Sequence, residues 1–256
     1  MTSAACGKVT TASPDAPTPD AGMKPSPQSC KALFDSNPAL SSGAYALRTA
    51  DGAAYQAYCD MTTDGGGWTL VMKIDGTAAS SQLGYDGALW TNTATLRADK
   101  VDTSHVEAKY RAFNEVAFSQ VRIVMVEAQS SAMTLAISAS SALHLMRGPF
   151  VQIARPRQDW LALLPGAIVQ PNCNQGGINN SSANPYVRVR IGMIANQEAN
   201  CETPDSFIGI GGGGGAGNAC FGNGAFVAPS AGSVSGGTCN PTPGPNHAAF
   251  AYLYVR

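Results

Sequence analysis

The sequence predicts an α+β domain, and three observations carry that prediction. Two aromatic-bearing runs, Tyr45–Arg48 and Ala54–Tyr58, flank Ala50-Asp51-Gly52, a pattern that reads as a β-hairpin with an Asp-Gly turn. Next, Gly65-Gly66-Gly67 leads into Trp68-Thr69-Leu70-Val71-Met72-Lys73-Ile74, a run rich in strand formers. Three glycines in succession cost backbone entropy and supply nothing to pack, so a tight turn or a close backbone approach must require them. The strand they feed is central, with Trp68 as its core anchor. Finally, the helical patterns further on are short, and they alternate with strand-like runs.

Composition bounds the function classes. A chain of 256 residues can bury a sizeable core. Only 13% of residues are charged, while 28 glycines and 16 prolines imply many turns. A net charge of −1 with scattered Lys and Arg gives neither a nucleic-acid footprint nor a polybasic membrane surface. No apolar run is long enough for a transmembrane segment.

Residues 1–28 hold five prolines and no aromatic, Leu or Ile, which predicts an extended, disordered stalk before a domain over 29–256. Within the stalk, Ser3-Ala4-Ala5-Cys6-Gly7 has the small-residue approach to a Cys found at a bacterial lipoprotein cleavage site, without the apolar stretch that should precede it. Cys6 is expected to be either a lipid anchor on a trimmed chain or a free thiol in the tail.

Along the domain, Gly76–Asn92 reads as a surface loop pinned by Trp90. Ser104-His105-Val106-Glu107 has the form of a capping box, with Val106, Tyr110, Phe113 and Ala117 at helical spacing, so a helix is expected from 104 with His105 in its exposed first turn. Phe118–Glu127 and Ala132–Ile137 read as strands, Ser141–Met146 and Asp159–Leu164 as short helices, with His144 at a surface edge and Trp160 in the core. Asn172–Asn180 reads as an amide-rich loop, and Tyr186–Ile191 as a strand with Arg188 and Arg190 on one basic face.

The seven cysteines form no CxxC pair and no Cys/His cluster at zinc spacing. Six are read as three disulfides made in an oxidising compartment. Among Cys173, Cys201, Cys220 and Cys239, the pairs Cys173–Cys201 and Cys220–Cys239 are one choice among those open to four cysteines.

Several segments resemble a known family. Ser29-Cys30-Lys31, Leu47-Arg48-Thr49-Ala50-Asp51-Gly52, Tyr58-Cys59-Asp60-Met61 and Gly65-Gly66-Gly67-Trp68-Thr69-Leu70 resemble the opening of a fibrinogen C-terminal-like domain, closest to the intelectin-like (X-type lectin) branch and its bacterial and invertebrate relatives. Val189-Arg190-Ile191-Gly192, Asn196-Gln197-Glu198, Cys201, Asp205-Ser206, the glycine run and Ala251-Tyr252-Leu253-Tyr254-Val255-Arg256 follow in that family's order. The resemblance implies an N-terminal antiparallel hairpin unit, a central mixed or antiparallel sheet with short helices, and a loop-rich Gly/Asn C-terminal subdomain. It also implies a Cys30–Cys59 bridge, and a last strand inserted centrally whose loss unfolds the domain.

In intelectin-like lectins the region corresponding to Asn196–His247 holds calcium, and one ion coordinates a vicinal diol of a glycan. Calcium takes six to eight oxygens, and Asn196, Glu198, Asn200, Glu202 and Asp205 offer such oxygens around Cys201. Those five are the candidate metal ligands. The chain departs from the family further on: Ser206–Val255 has no Asp, Glu, Lys or Arg, and Ile208 stands where the family's calcium-binding His would be. The diol-binding ion is therefore expected to be missing, leaving Asn218, Phe221, Asn223, Phe226 and His247 as candidate ligand-binding residues.

No catalytic signature competes with this reading. There is no GxSxG, HExxH or phosphate-cradling loop, and Gly211–Gly215 does not open a helix. The expectation is a secreted or cell-surface, non-enzymatic adhesion module, lectin-like and with structural calcium. The alternative is a protein-binding or self-assembling surface component, a homo-oligomer joined through its uncharged C-terminal face.

Overall fold

In the computed structural model, which describes residues 27–182, 186–224 and 226–256, two antiparallel sheets hold most of the regular secondary structure. Cys6 and all but the last two positions of the expected stalk lie outside the described residues. Those last two are tied to the domain: the Pro27 carbonyl accepts from the Arg48 backbone N–H at 3.0 Å, and the Gln28 carbonyl from the Tyr55 hydroxyl at 3.1 Å.

The first sheet comprises β1 (Gly43–Arg48), β2 (Ala54–Asp60), β3 (Trp68–Asp75), β4 (Ala108–Lys109), β5 (Phe118–Val126), β6 (Ser130–Ala139) and the last strand of the chain, β13 (Phe250–Val255). Its order is β1-β2-β3-β13-β5-β6, with β4 beside β3. The second comprises β7 (Val151–Gln152), β8 (Asn172–Asn180), β9 (Arg188–Asn196), β10 (Ser206–Gly213), β11 (Ala231–Val234) and β12 (His247–Ala248), in the order β12-β11-β10-β9-β8-β7. Among the described residues there are also four short α-helices, α1 (Cys30–Ser36), α2 (Ala112–Glu115), α3 (Ala142–Arg147) and α4 (Arg157–Leu161), and four single 3-10 turns.

The hairpin unit follows the local chemistry. Ser29 caps α1 by accepting from the Ala32 N–H, and Gly52 supplies the φ of 87° that the β1–β2 turn needs. Cys30 and Cys59 are bonded and fully buried, with Leu47, Ala57 and Met61 around them as a small core of their own. Such a core is too small to hold a hairpin unaided. Cys59→Ser is therefore expected to cost about 2–5 kcal/mol; an unchanged urea midpoint under oxidising conditions would show the bridge to be dispensable.

Both reasons for the glycine triplet are present. Gly65, Gly66 and Gly67 have φ of 85°, 70° and 75°, and a Cβ on Gly66 would lie 2.3 Å from the Met61 carbonyl oxygen. Trp68, Trp90 and Trp160 are all fully buried in one core that joins the sheets, packing Ile74 and Ile123 of the first with Ile191 and Ile208 of the second. β13 lies between β3 and β5, at the centre of its sheet.

Three elements differ from expectation. No helix starts at 104: residues 108–109 form β4, and only Ala112–Glu115 is helical. Glu107, instead of closing a capping box, accepts from the Ser81 hydroxyl and the Gln82 N–H, while buried Lys109 reaches the Asn92 carbonyl at 2.6 Å. Tertiary partners outbid the local helix signal. His105 is exposed and stacks on Phe250 at 4.5 Å.

Asn172–Asn180 is the nine-residue strand β8, not a loop. Its amides bond to neighbours, Gln175 to Asn180 at 2.8 Å and Asn179 to the Gly148 carbonyl at 2.9 Å, and the bare Gly176 lets Trp160 pack against it. More broadly, the segment from Val151 to Ala248 carries a six-stranded sheet in addition to long loops. The charge-free run 206–255 is in large part interior, since β11 and β13 are buried throughout and β10 at all but its last residue. Burial, rather than one continuous outer face, accounts for its lack of charge.

Candidate functional site

The two sheets meet around a cavity of about 800 Å³. One wall is the loop after β3, from Gly76 to Gly87. The opposite side comprises Gly212–Gly214 at the end of β10, the 226–230 segment before β11, and Asn246–Ala248 at β12. The first wall is fastened at several points. Gly76 donates its N–H to the Ala249 carbonyl at 2.9 Å, and a Cβ there would sit 1.9 Å from the Ala231 oxygen. Glu107 holds Ser81 and Gln82, and the Trp90 indole N–H donates to the Leu83 and Gly84 carbonyls at 3.0 and 3.1 Å.

This arrangement explains the glycine run. The Tyr85 N–H donates to the Gly212 carbonyl at 2.9 Å, and a Cβ on Gly213 would come within 2.6 Å of the Tyr85 Cβ. A Cβ on Gly212 would lie 2.2 Å from the Pro229 oxygen. The run lets the two walls approach each other.

The lining is polar at one corner and apolar at the other. Arg188, on β9, donates two hydrogen bonds to the Asp86 carboxylate at 3.2 and 2.8 Å. Its guanidinium lies 4.9 Å from the Tyr85 ring centroid, and that of Arg190 lies 4.4 Å away. Arg190 donates to the Tyr85 carbonyl at 2.8 Å and to Asn179 at 2.9 Å, and burial holds its pKa below the usual arginine value. Across the cavity Phe226 stacks on Phe221 at 4.4 Å, next to Val227, which is 78% exposed. His247 pairs through Nδ1 with Glu127, just past β5, at 2.9 Å.

Two of the five candidate ligand-binding residues, Phe226 and His247, line this cavity. Phe221 backs Phe226 from behind. Asn218 is buried, donating to Asp205 at 2.6 Å and accepting from the Cys220 N–H, and Asn223 occupies a turn at φ 54°. The other wall, with Tyr85 and Asp86, and Arg188 facing it were not among the candidates. Their signals were Tyr85-Asp86-Gly87 beside Trp90 and the basic face of 186–191.

The five candidate metal ligands cluster around the turn after β9 without gathering on one point. Asn196 and Asp205 are buried, while Glu198, Asn200 and Glu202 are exposed. Asn196 bonds to the Asn200 carbonyl and Thr203, and Asn200 accepts from the Glu202 N–H at 3.0 Å. Burial is the main cause of the raised pKa of Asp205, with the nearby Glu198 carboxylate adding to it. The Cys220 and Cys239 sulfurs also lie close to Asp205, but they are bonded to each other and offer no thiolate. Cys173 is joined to Cys201, so all three disulfides form in the expected pairs.

Residues 26–83 match the family described as fibrinogen beta and gamma chains, C-terminal globular domain. The matched stretch spans the hairpin unit, the glycine turn, β3 and the start of the first cavity wall, and this part of the chain is fibrinogen-like.

Proposed function

We propose that this chain is a non-enzymatic, extracellular recognition module that binds glycans in the cavity between its two sheets. The observation that carries the reading is the lining: aromatic and small apolar side chains beside a few fixed polar groups, in a volume near the upper end of the roughly 300–1,000 Å³ of small-molecule sites. A sugar ring presents apolar C–H faces and hydroxyls that both donate and accept, and this lining offers surfaces for each. The disulfides and the fibrinogen-like stretch fit an extracellular protein, and no helix among the described residues is long and apolar enough to cross a membrane.

Among the described residues, Ser233, His247 and Glu127 have the order of a nucleophile, base and acid. Ser233 lies opposite His247 in the β11–β12 register, and His247 pairs with Glu127. Ser233 is fully buried, however, and its hydroxyl makes no hydrogen bond within the protein, so it presents no nucleophile to a substrate.

Calcium is proposed as a structural ion of the 196–205 turn on the number of oxygen donors there; because Asp205 is buried and Glu198 exposed, binding requires the turn to draw the two carboxylates together. One experiment tests both parts. A glycan array is read in calcium and in EDTA, alongside thermal unfolding of the wild type and of Asp205→Asn/Glu198→Gln. Glycan binding by the wild type is expected, with a calcium-induced rise in Tm that the double variant loses. An array without a single positive would refute glycan recognition, and a Tm rise that survives in the variant would place the ion elsewhere.

A further inference from the structure

Resting on the glycan reading above, we propose that the Asp86–Arg188 pair is the hydroxyl-reading element of the cavity, that it selects neutral oligosaccharides, and that it works without a metal ion. Two observations and the acceptor capacity of a carboxylate converge. Arg188 grips Asp86 with two hydrogen bonds, 3.2 and 2.8 Å, which fixes the plane of the carboxylate. A carboxylate has about four acceptor sites, and Arg188 occupies two. The remaining two face solvent, because the Asp86 side chain is 72% exposed while that of Arg188 is only 17% exposed. A fixed, outward-facing pair of acceptors suits two neighbouring hydroxyl hydrogens.

The order of the charges sets the selectivity. Among the described residues, Asp86 and Arg188 supply the formal charges lining the cavity, and they cancel. The carboxylate stands outside the guanidinium, so an acidic sugar approaching Arg188 meets Asp86 first and is repelled. His247, the imidazole on the lining, already faces Glu127. A neutral sugar meets no such opposition, and the apolar stretch at Phe226 and Val227 offers cover for its C–H faces. None of these groups lies in the 196–205 turn, so removing calcium from that turn leaves the hydroxyl contacts in place.

The test uses the full chain and immobilised short neutral oligosaccharides of gluco, galacto and manno configuration, with acidic counterparts carrying a uronate or a sialyl group. The wild type should bind a neutral member equally in calcium and in EDTA. Asp86→Asn should weaken that binding by about 10- to 100-fold with Tm unchanged, since the side chain is mostly exposed. Arg188→Lys keeps the charge but loses the two-pronged grip, and should weaken binding in the same direction. Glycan binding that persists unchanged in Asp86→Asn would overturn this inference and leave the glycan reading standing. So would binding lost in EDTA, or wild-type preference for the acidic set with a further gain in Asp86→Asn. If no glycan of either set binds, both readings fall together.

Discussion

A chain cut after Ala249 is expected not to fold. The missing strand, β13, pairs with β3 from Phe250↔Asp75 to Val255↔Thr69 on one side, and with β5 from Phe250↔Val126 to Val255↔Val121 on the other. Without it the first sheet separates into a β1-β2-β3 half and a β5-β6 half. Phe250, Tyr252, Leu253, Tyr254 and Val255 are all buried, and burying large apolar side chains stabilises by about 1.5–3 kcal/mol each. The loss, roughly 8–15 kcal/mol, matches the entire stability of a typical domain, about 5–15 kcal/mol. The Tyr252 hydroxyl bond to the Thr103 carbonyl would go too. Circular dichroism on heating is the check. A cooperative transition at the full-length Tm would mean that β13 is an accessory strand.

The first sheet was legible in the sequence because its signals are local or strongly patterned. Asp51-Gly52 marks its own turn, Gly65-Gly66-Gly67 demands a reason within a few residues, and Phe118–Glu127 is apolar enough to be a strand wherever it packs. The helix expected from Ser104 failed because Glu107 and Lys109 have partners at Ser81, Gln82 and Asn92, which no local window contains. β8 was hidden differently: Asn and Gly are poor strand formers, and this strand is held by amide pairs and by Trp160 against Gly176.

The cavity was the least legible feature, for a geometric reason. Its walls come from residues 76–87, 188, 212–214, 226–230 and 246–248, and no piece alone marks a binding site. Asp86 and Arg188 meet across a sequence separation of 102. Phe226 and His247 were found because they lie in the region that the family resemblance singled out, whereas Tyr85 and Asp86 lie outside it.

Trp68→Ala should be among the most damaging single substitutions, because several interactions end on one ring. The side chain is fully buried in the main core, its indole N–H donates to the Thr63 carbonyl at 3.0 Å, and the Arg256 guanidinium lies 4.3 Å from the ring centroid. Arg256 itself donates to the Asp64 and Gly66 carbonyls at 2.7 and 2.9 Å, so the ring, the glycine turn and the last residue of the chain form one unit. Truncation to Ala should cost about 3–5 kcal/mol, or roughly 6–20 °C in Tm for a domain of this size. Trp68→Phe separates the contributions. It keeps most of the packing but loses the indole donor, so it should cost only about 1–2 kcal/mol. Urea unfolding should therefore rank wild type above Trp68→Phe and Trp68→Ala last. A Trp68→Ala loss below about 1 kcal/mol would mean that the ring can be replaced by local collapse. If that loss matched Trp68→Phe instead, the indole bond to Thr63, rather than the packing, would be what secures the turn to the sheet.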